Sequence, residues 1–138
     1  MKTDKEIKKL FKVVVVKPNL IKITFLKTSV DKKENTRKSK LIHDKIDSIL
    51  NKKPDITFKI ILDLRPMGSK ANVSEKAKKI YTKVAKKDRI KKIAIIGDSD
   101  TQSEPLNLVL NLVSFFSTRN KVAWFSSYKE AKKWVHII

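Results

Sequence analysis

The order of hydrophobic and polar positions divides the start of the chain into two strands. Leu10–Lys17 contains four consecutive valines, whose β-branched side chains favour extended backbone. A Pro-Asn pair follows and predicts a turn, because proline fixes φ and asparagine tolerates a left-handed conformation. In Leu20–Lys27 apolar and polar residues alternate, which places Ile21, Ile23 and Phe25 on one face. The pattern therefore predicts an antiparallel hairpin.

Beyond the hairpin, the apolar positions alternate between helical spacing and short continuous runs. Helical spacing predicts helices at residues 36–52 and 103–118. Two further helices are predicted to begin at residue pairs with capping-box spacing, Asn72 with Glu75 and Ser127 with Glu130. The continuous runs predict buried strands at Ile56–Leu64, Lys92–Ile96 and Val122–Phe125.

The resulting order, β-β-α-β-α-β-α-β-α, predicts a fold of the α/β class. Strands that alternate with helices are joined by crossovers, which make a sheet mostly parallel, while the hairpin adds one antiparallel pair. We therefore expect a mixed, mostly parallel five-stranded sheet with helices packed on it. The 138 residues fit a single domain, residues 1–138.

Charge is the most unusual feature of the composition. The formal net charge is +19, and four of the 33 basic residues are arginines, which leaves 29 lysines. Such a charge favours an anionic partner, but lysine lacks the bidentate arginine fork, and a solvated lysine surface is the plainer explanation. The chain has no cysteine, no signal-peptide pattern and no apolar stretch that could span a bilayer. We therefore expect a cytoplasmic protein.

Three segments are similar to segments of one known family. Ile61–Leu64 resembles a central strand that ends in aspartate, and Arg89–Asp98 resembles a later strand that ends in Gly-Asp. Val122–Val135 resembles a closing strand followed by a Glu-Ala-x-x-Trp helix. Their order and spacing resemble the STAS domain, in particular its SpoIIAA-like (STAS/SEC14) subgroup. The resemblance implies the STAS fold and a non-enzymatic regulatory module without a cofactor, which contacts a protein or binds a small apolar or anionic ligand.

The same resemblance points to a phosphorylated serine. In anti-sigma-factor antagonists of this family, a serine at the start of the helix after the central strand is phosphorylated, where the helix dipole favours negative charge. Ser69 and Ser74 lie in the corresponding region and are the candidate phosphosites. Their neighbours differ from the family's Asp-Ser-Ser-Gly motif, so an ordinary loop serine and a first-turn serine are the plainer explanation.

Candidate binding residues lie at the predicted strand ends and on one helix. The loops at residues 65–74 and 97–104 adjoin the carboxyl edge of the sheet, where α/β proteins bind ligands. The candidates there are Asp63, Arg65, Ser69, Asp98 and Ser99. The helix at 103–118 has a wider apolar face than packing on a sheet requires. Either this face packs under the last helix, or Leu112 and Phe115 contact a protein partner, a small ligand or, in a homodimer, a second copy.

Two other functions are weighed against this one. A polyanion, either nucleic acid or a membrane surface, would bind the lysines on one helix face, which are Lys76, Lys79, Lys83, Lys86 and Lys87. A serine hydrolase at Ser99 would need a histidine base and an acid, but Lys133 stands where the acid should precede His136. Aspartates at strand ends can bind magnesium, yet they more commonly cap turns, so no metal site is predicted.

Overall fold

The computed structural model describes residues 3–16, 19–26, 31–67, 74–97 and 121–136. The described helices are α1 (Asp4–Ile7), α2 (Lys32–Lys52), α3 (Glu75–Ala85) and α4 (Tyr128–Val135). The strands are β1 (Phe11–Val16), β2 (Leu20–Phe25), β3 (Phe58–Asp63), β4 (Ile90–Ile96) and β5 (Val122–Phe125). Single turns of 3-10 helix follow α1 at Lys8–Leu10 and β3 at Arg65–Met67. The helix predicted at 103–118 lies outside the described residues.

The strands form one five-stranded sheet in the order β1-β2-β3-β4-β5. β1 and β2 pair antiparallel as a hairpin, with Phe11 opposite Phe25 and Val16 opposite Leu20. From β2 to β5 every neighbouring pair is parallel. The predicted α/β class, with a mixed and mostly parallel five-stranded sheet, is confirmed.

Helices cover both faces of this sheet. On one face Ile42 and Ile46 of α2 and Ala77 of α3 belong to a buried cluster with the inward side chains of β1 to β5. On the other face Ala131 and Val135 of α4 pack with buried side chains of β2, β3 and β4. Because α2 and α3 lie on the same face, the crossovers that contain them have the same hand, as the rule of right-handed crossovers requires.

The start of α2 differs from the prediction. The helix begins at Lys32 rather than at residue 36, because Asp31 caps it. The Asp31 carboxylate accepts hydrogen bonds from the backbone N–H groups of Lys33 at 2.8 Å and Glu34 at 3.4 Å. The first turns are rich in polar residues, which is why the hydrophobic pattern does not reveal them.

The predicted cap of α3 is also corrected. Asn72 lies outside the described residues, and the N-cap is Ser74, whose Oγ accepts from the backbone N–H of Ala77 at 3.1 Å. A capping side chain accepts a hydrogen bond from the N–H group two or three residues further along the chain. Ser74 stands three residues before Ala77, so it can cap the helix. At the other end of the chain, Ser127 Oγ accepts from the Glu130 N–H at 3.2 Å, so the predicted start of the last helix is confirmed.

The hydrophobic pattern does not predict α1, which spans a single turn. Thr3 and Glu6 form a capping box, in which the Thr3 N–H donates to Glu6 Oε1 at 3.2 Å and the Glu6 N–H donates to Thr3 Oγ1 at 3.3 Å. Ile7 at its end is completely buried in the cluster that contains α2. The start of the chain is thereby held against α2.

Candidate functional site

The described N-termini of two helices lie at the carboxyl edge of the parallel strands. α2 follows the end of β2, and α3 follows the end of β3. Both helices pack on the same sheet face and against one another. Their first turns therefore meet at the edge where sheets of this kind bind ligands.

A groove opens between these first turns. Its volume is about 530 Å³, and we call it the basic groove. The residues that line it are Lys32, Lys33, Thr36, Arg37, Lys40, Ser74, Glu75 and Lys76. A second cavity of about 260 Å³ is lined by Arg37, Lys40, His43, Asp44, Ile80 and Lys83. Because Arg37 and Lys40 line both, the groove continues along the seam between α2 and α3.

Two hydroxyl groups join the helices at the groove. Ser74 Oγ and Thr36 Oγ1 lie 2.6 Å apart, and Thr36 Oγ1 also lies 2.9 Å from the carbonyl oxygen of Lys32. A carbonyl only accepts, so the Thr36 hydroxyl donates to it, and the Ser74 hydroxyl then donates to Thr36. Both hydroxyl protons are therefore used within the protein. Ser74, the candidate phosphosite, is buried and caps α3.

Positive charge dominates the basic groove. Five of its lining residues are lysine or arginine, and Glu75 is the one carboxylate among them. Glu75 is 3.1 Å from Lys78 Nζ, so a neighbouring cation already balances it. The described groove thus carries a surplus of positive charge, made of side chains that are mostly flexible and solvated.

Arg37 is held by a carboxylate from the start of the chain. Its Nε donates to Asp4 Oδ1 at 2.8 Å, and its Nη2 donates to Asp4 Oδ2. These hydrogen bonds, together with the charge of Arg37, lower the pKa of Asp4. The guanidinium that both cavities share is therefore positioned by a bidentate ion pair.

Asp63 and Arg65 form a second ion pair at the same edge of the sheet. Arg65 Nε lies 3.0 Å from Asp63 Oδ1, and Arg65 Nη2 lies 2.8 Å from Asp63 Oδ2. The Arg65 backbone N–H also donates to Asp63 Oδ1 at 3.1 Å. Burial alone raises the pKa of Asp63, but the hydrogen bonds from Arg65 and the charges of Arg65 and Lys22 lower it below its ordinary value. Asp63 is therefore an ionised turn cap that positions Arg65, rather than an open magnesium ligand.

One buried cation lies on the sheet side of α2. Lys38 is 1% exposed, and its Nζ has no hydrogen-bond partner among the described residues. The ammonium lies 5.0 Å from the centre of the Phe25 ring. Burial lowers the pKa of Lys38 to about 8, although the charge of Glu34 acts in the opposite direction. Lys38 does not line the basic groove.

The lysines predicted for polyanion binding are divided by the structure. Lys76 and Lys83 line the two cavities of the seam, whereas Lys79 and Lys86 are exposed outside them. Lys87 forms an ion pair with Asp47, with Nζ 2.9 Å from Oδ1. Only part of the predicted set therefore belongs to the groove.

Other candidates fall outside the description. Ser69, Asp98, Ser99, Leu112 and Phe115 lie outside the described residues, as does the loop that would hold a hydrolase serine. The two histidines are described, and they lie on helices that cover opposite faces of the sheet, His43 within α2 and His136 at the end of α4.

Sequence reasoning did not find the contribution of α2 to the groove. Lys32, Lys33, Arg37 and Lys40 belong to the polar stretch before the hydrophobic pattern of that helix. One signal was available, since Asp31 and Glu34 have the spacing of an N-cap and an acidic residue at the third position of the helix, in its first turn. Starting the helix at that cap would have placed these cations on successive turns.

A sheet of one antiparallel hairpin followed by parallel strands, with helices on both faces, is the architecture of a STAS-type domain. A comparison with protein-family models matches residues 25–136 to the family described as SpoIIAA-like. The chain belongs to the SpoIIAA-like family, whose members are typically non-catalytic regulatory modules. Comparisons with curated proteins and with solved structures found no match.

Two further properties of the described residues bear on the class of site. Within the described part of the chain, no helix combines the length and apolar character needed to cross a membrane. No group of three or more His, Asp or Glu side chains in that part is arranged to hold a metal ion. The charged feature that the described residues do assemble is the basic groove.

Proposed function

We propose that this protein is a non-catalytic binding module that takes an anionic group of its ligand or partner in the basic groove. The site lies at the carboxyl edge of the sheet, between the first turns of α2 and α3. As a regulatory module it acts by occupancy of this site and not by chemical change of the ligand. The cysteine-free composition suits a reducing compartment, and we place the module in the cytoplasm.

One observation supports the proposal above others. Five cationic side chains from two helices line one groove of about 530 Å³, in which Glu75 is the one acidic lining residue. Arg37 is paired with Asp4, so the four lysines carry the surplus of positive charge. Like charges repel, so gathering them costs free energy unless an anion neutralises them. A bound anion removes that cost, which gives the groove a physical preference for negatively charged ligands.

The test is a titration of the isotope-labelled protein with inorganic pyrophosphate, followed by NMR. We expect the largest shift changes at backbone amides of residues 32–40 and 74–77. The triple variant Lys33→Gln, Lys40→Gln, Lys76→Gln removes three exposed cations of the groove. It should weaken pyrophosphate binding by about tenfold.

A matched control separates the groove from the overall charge. Lys45, Lys52 and Lys91 are exposed and do not line either cavity of the seam. Their replacement by Gln lowers the net charge by the same three units, and binding should change by less than about twofold. Equal weakening in both triple variants would contradict a site in the groove.

Binding of an extended polyanion is the second candidate. Lys76, Lys79, Lys83 and Lys86 are exposed and lie on one side of α3, so the positive surface continues beyond the groove. A polyanion bound along this row should be released steeply by salt. Replacing Lys79 and Lys86 by Gln should then reduce retention on heparin, whereas the groove proposal predicts little change in pyrophosphate binding by that double variant.

A further inference from the structure

We infer that the partner of the basic groove is an acidic segment of polypeptide, which lies along the seam between α2 and α3. The inference rests on the proposed function and adds the chemical class of the ligand. Three features of the seam support it: its length, the hydrogen bonds that its hydroxyl groups already make, and the carboxylate that it already holds.

The cations extend along the seam for two helical turns. Lys33 and Lys40 are seven residues apart on α2, and Lys76 and Lys83 have the same separation on α3. At 1.5 Å per residue each pair spans about 10 Å. Because Arg37 and Lys40 line both cavities, basic side chains continue over this length, with Asp44 as the one carboxylate that lines the second cavity. A linear ligand with several negative charges matches it better than one small anion does.

The lining is poorly suited to a nucleic acid strand. Single-stranded nucleic acids are typically bound by aromatic side chains that stack on bases, and guanidinium forks bind phosphates. Among the described residues that line the two cavities, the one aromatic ring is that of His43 and the one arginine is Arg37. The protons of the Ser74 and Thr36 hydroxyls are donated within the protein. The lysine ammonium groups of the lining remain as hydrogen-bond donors. They bind carboxylates without aromatic stacking and without a guanidinium fork.

One residue of the groove, Arg37, already binds a carboxylate of the chain itself. Asp4, in the chain's own α1, is held at both oxygens by Arg37. Ile7, three residues further on, is buried in the cluster beside α2. An acidic residue with an apolar one three positions later therefore already packs on this side of α2. Ile80, which lines the second cavity, offers an apolar contact farther along the seam.

The experiment compares two probes of similar charge, a fluorescent octaglutamate peptide and a fluorescent octathymidylate. Their dissociation constants are measured by anisotropy at about 0.1 M salt, where charges farther than about 10 Å apart are screened. Each probe is tested with the variant Lys33→Gln, Lys40→Gln, Lys76→Gln and with the control Lys45→Gln, Lys52→Gln, Lys91→Gln. The useful quantity is the dissociation constant of the groove variant divided by that of the control variant.

For the peptide we expect this ratio to be about ten. For the oligonucleotide we expect a ratio near one, because a nucleic acid strand binds lysines over the whole surface. A peptide ratio near one, or an oligonucleotide ratio as large as the peptide ratio, overturns the inference. If pyrophosphate binding still depends on the groove in that case, the proposed function survives; if that dependence is also missing, the proposed function fails as well.

Discussion

The two halves of α2 bury opposite kinds of side chain on the same sheet. In the first half the buried residues are Glu34, Asn35, Lys38 and Ser39. In the second half they are Ile42, Ile46 and Leu50, at ordinary helical spacing. Both sets face the sheet, but the polar set lies toward the carboxyl edge, where the basic groove opens. One helix therefore anchors the fold with its second half and lines the proposed binding groove with its first.

This difference separates the part of α2 that stabilises the fold from the part that we propose for binding. Buried apolar surface stabilises the folded state, whereas a buried polar group contributes little unless its hydrogen bonds are made. In the first half, Ser39 Oγ donates to the Thr36 carbonyl at 2.6 Å, but the Lys38 ammonium has no such partner in the described structure. The first half of α2, which lines the proposed site, is thus expected to be the less stable half, as is common for functional sites.

The largest effect is expected from the apolar half. Ile46 is 1% exposed and belongs to the main hydrophobic cluster. Ile46→Ala leaves a cavity and should lower the free energy of unfolding by about 2–5 kcal/mol. Urea denaturation followed by circular dichroism measures this change. Ser48→Ala, at an exposed position of the same helix, should change it by less than about 0.5 kcal/mol; a similar loss in both variants would contradict the anchoring role.

A gain in stability is expected from the polar half. Lys38 has a pKa of about 8 in the folded protein, below its ordinary 10.5, because burial disfavours its charge. At pH 7 the ammonium is charged in both states, so the folded state bears the full cost of burial, roughly 3 kcal/mol by linkage. Lys38→Met should therefore raise the free energy of unfolding at pH 7 by up to about 3 kcal/mol.

The pH dependence checks the sign of this effect. Between about pH 8 and 10 the unfolded chain keeps the Lys38 proton that the folded protein loses, so the stability of the unmutated protein should rise with pH. The rise should be smaller in Lys38→Met. In Lys45→Met, which replaces an exposed lysine, the rise should be as large as in the unmutated protein. Measurements stop near pH 10, because burial raises the pKa of Tyr81, which lowers stability above that pH. Burial of the charged Lys38 would not destabilise the fold if the stability of the unmutated protein stayed constant over this range and Lys38→Met were less stable than it.

The sequence predicts the apolar half of α2 well and the polar half poorly. Ile42, Ile46 and Leu50 follow the 3.6-residue period, which packing on a sheet enforces, and all three are buried as expected. Lys38 and Ser39 occupy the same stripe one turn before Ile42, but a polar residue gives no hydrophobic signal. Their burial depends on the tertiary contacts of β2 and α3, which the pattern of one helix does not contain.

The candidate site was predictable only in its location. The rule for α/β sheets places it at the carboxyl strand edge, and Asp63, Arg65 and Ser74 do lie there in the structure. Which lysines share a groove depends on how α2 packs against α3. The lysines of α3 form a visible row in the sequence, but their division between groove, open surface and the ion pair of Lys87 with Asp47 follows from that packing.

The smallest expected effect comes from the contact that joins the first half of α2 to α3. Ser74→Ala removes the cap of α3 and the 2.6 Å hydrogen bond to Thr36, which should lower the free energy of unfolding by about 1 kcal/mol. Because that bond fixes the two sides of the basic groove, pyrophosphate binding should also weaken by about threefold. Ser127→Ala removes the equivalent cap of α4, on the opposite sheet face, and should cost similar stability without changing binding. If both variants weakened binding equally, the effect would reflect general destabilisation, and the Ser74–Thr36 contact would have no particular role in holding the groove open.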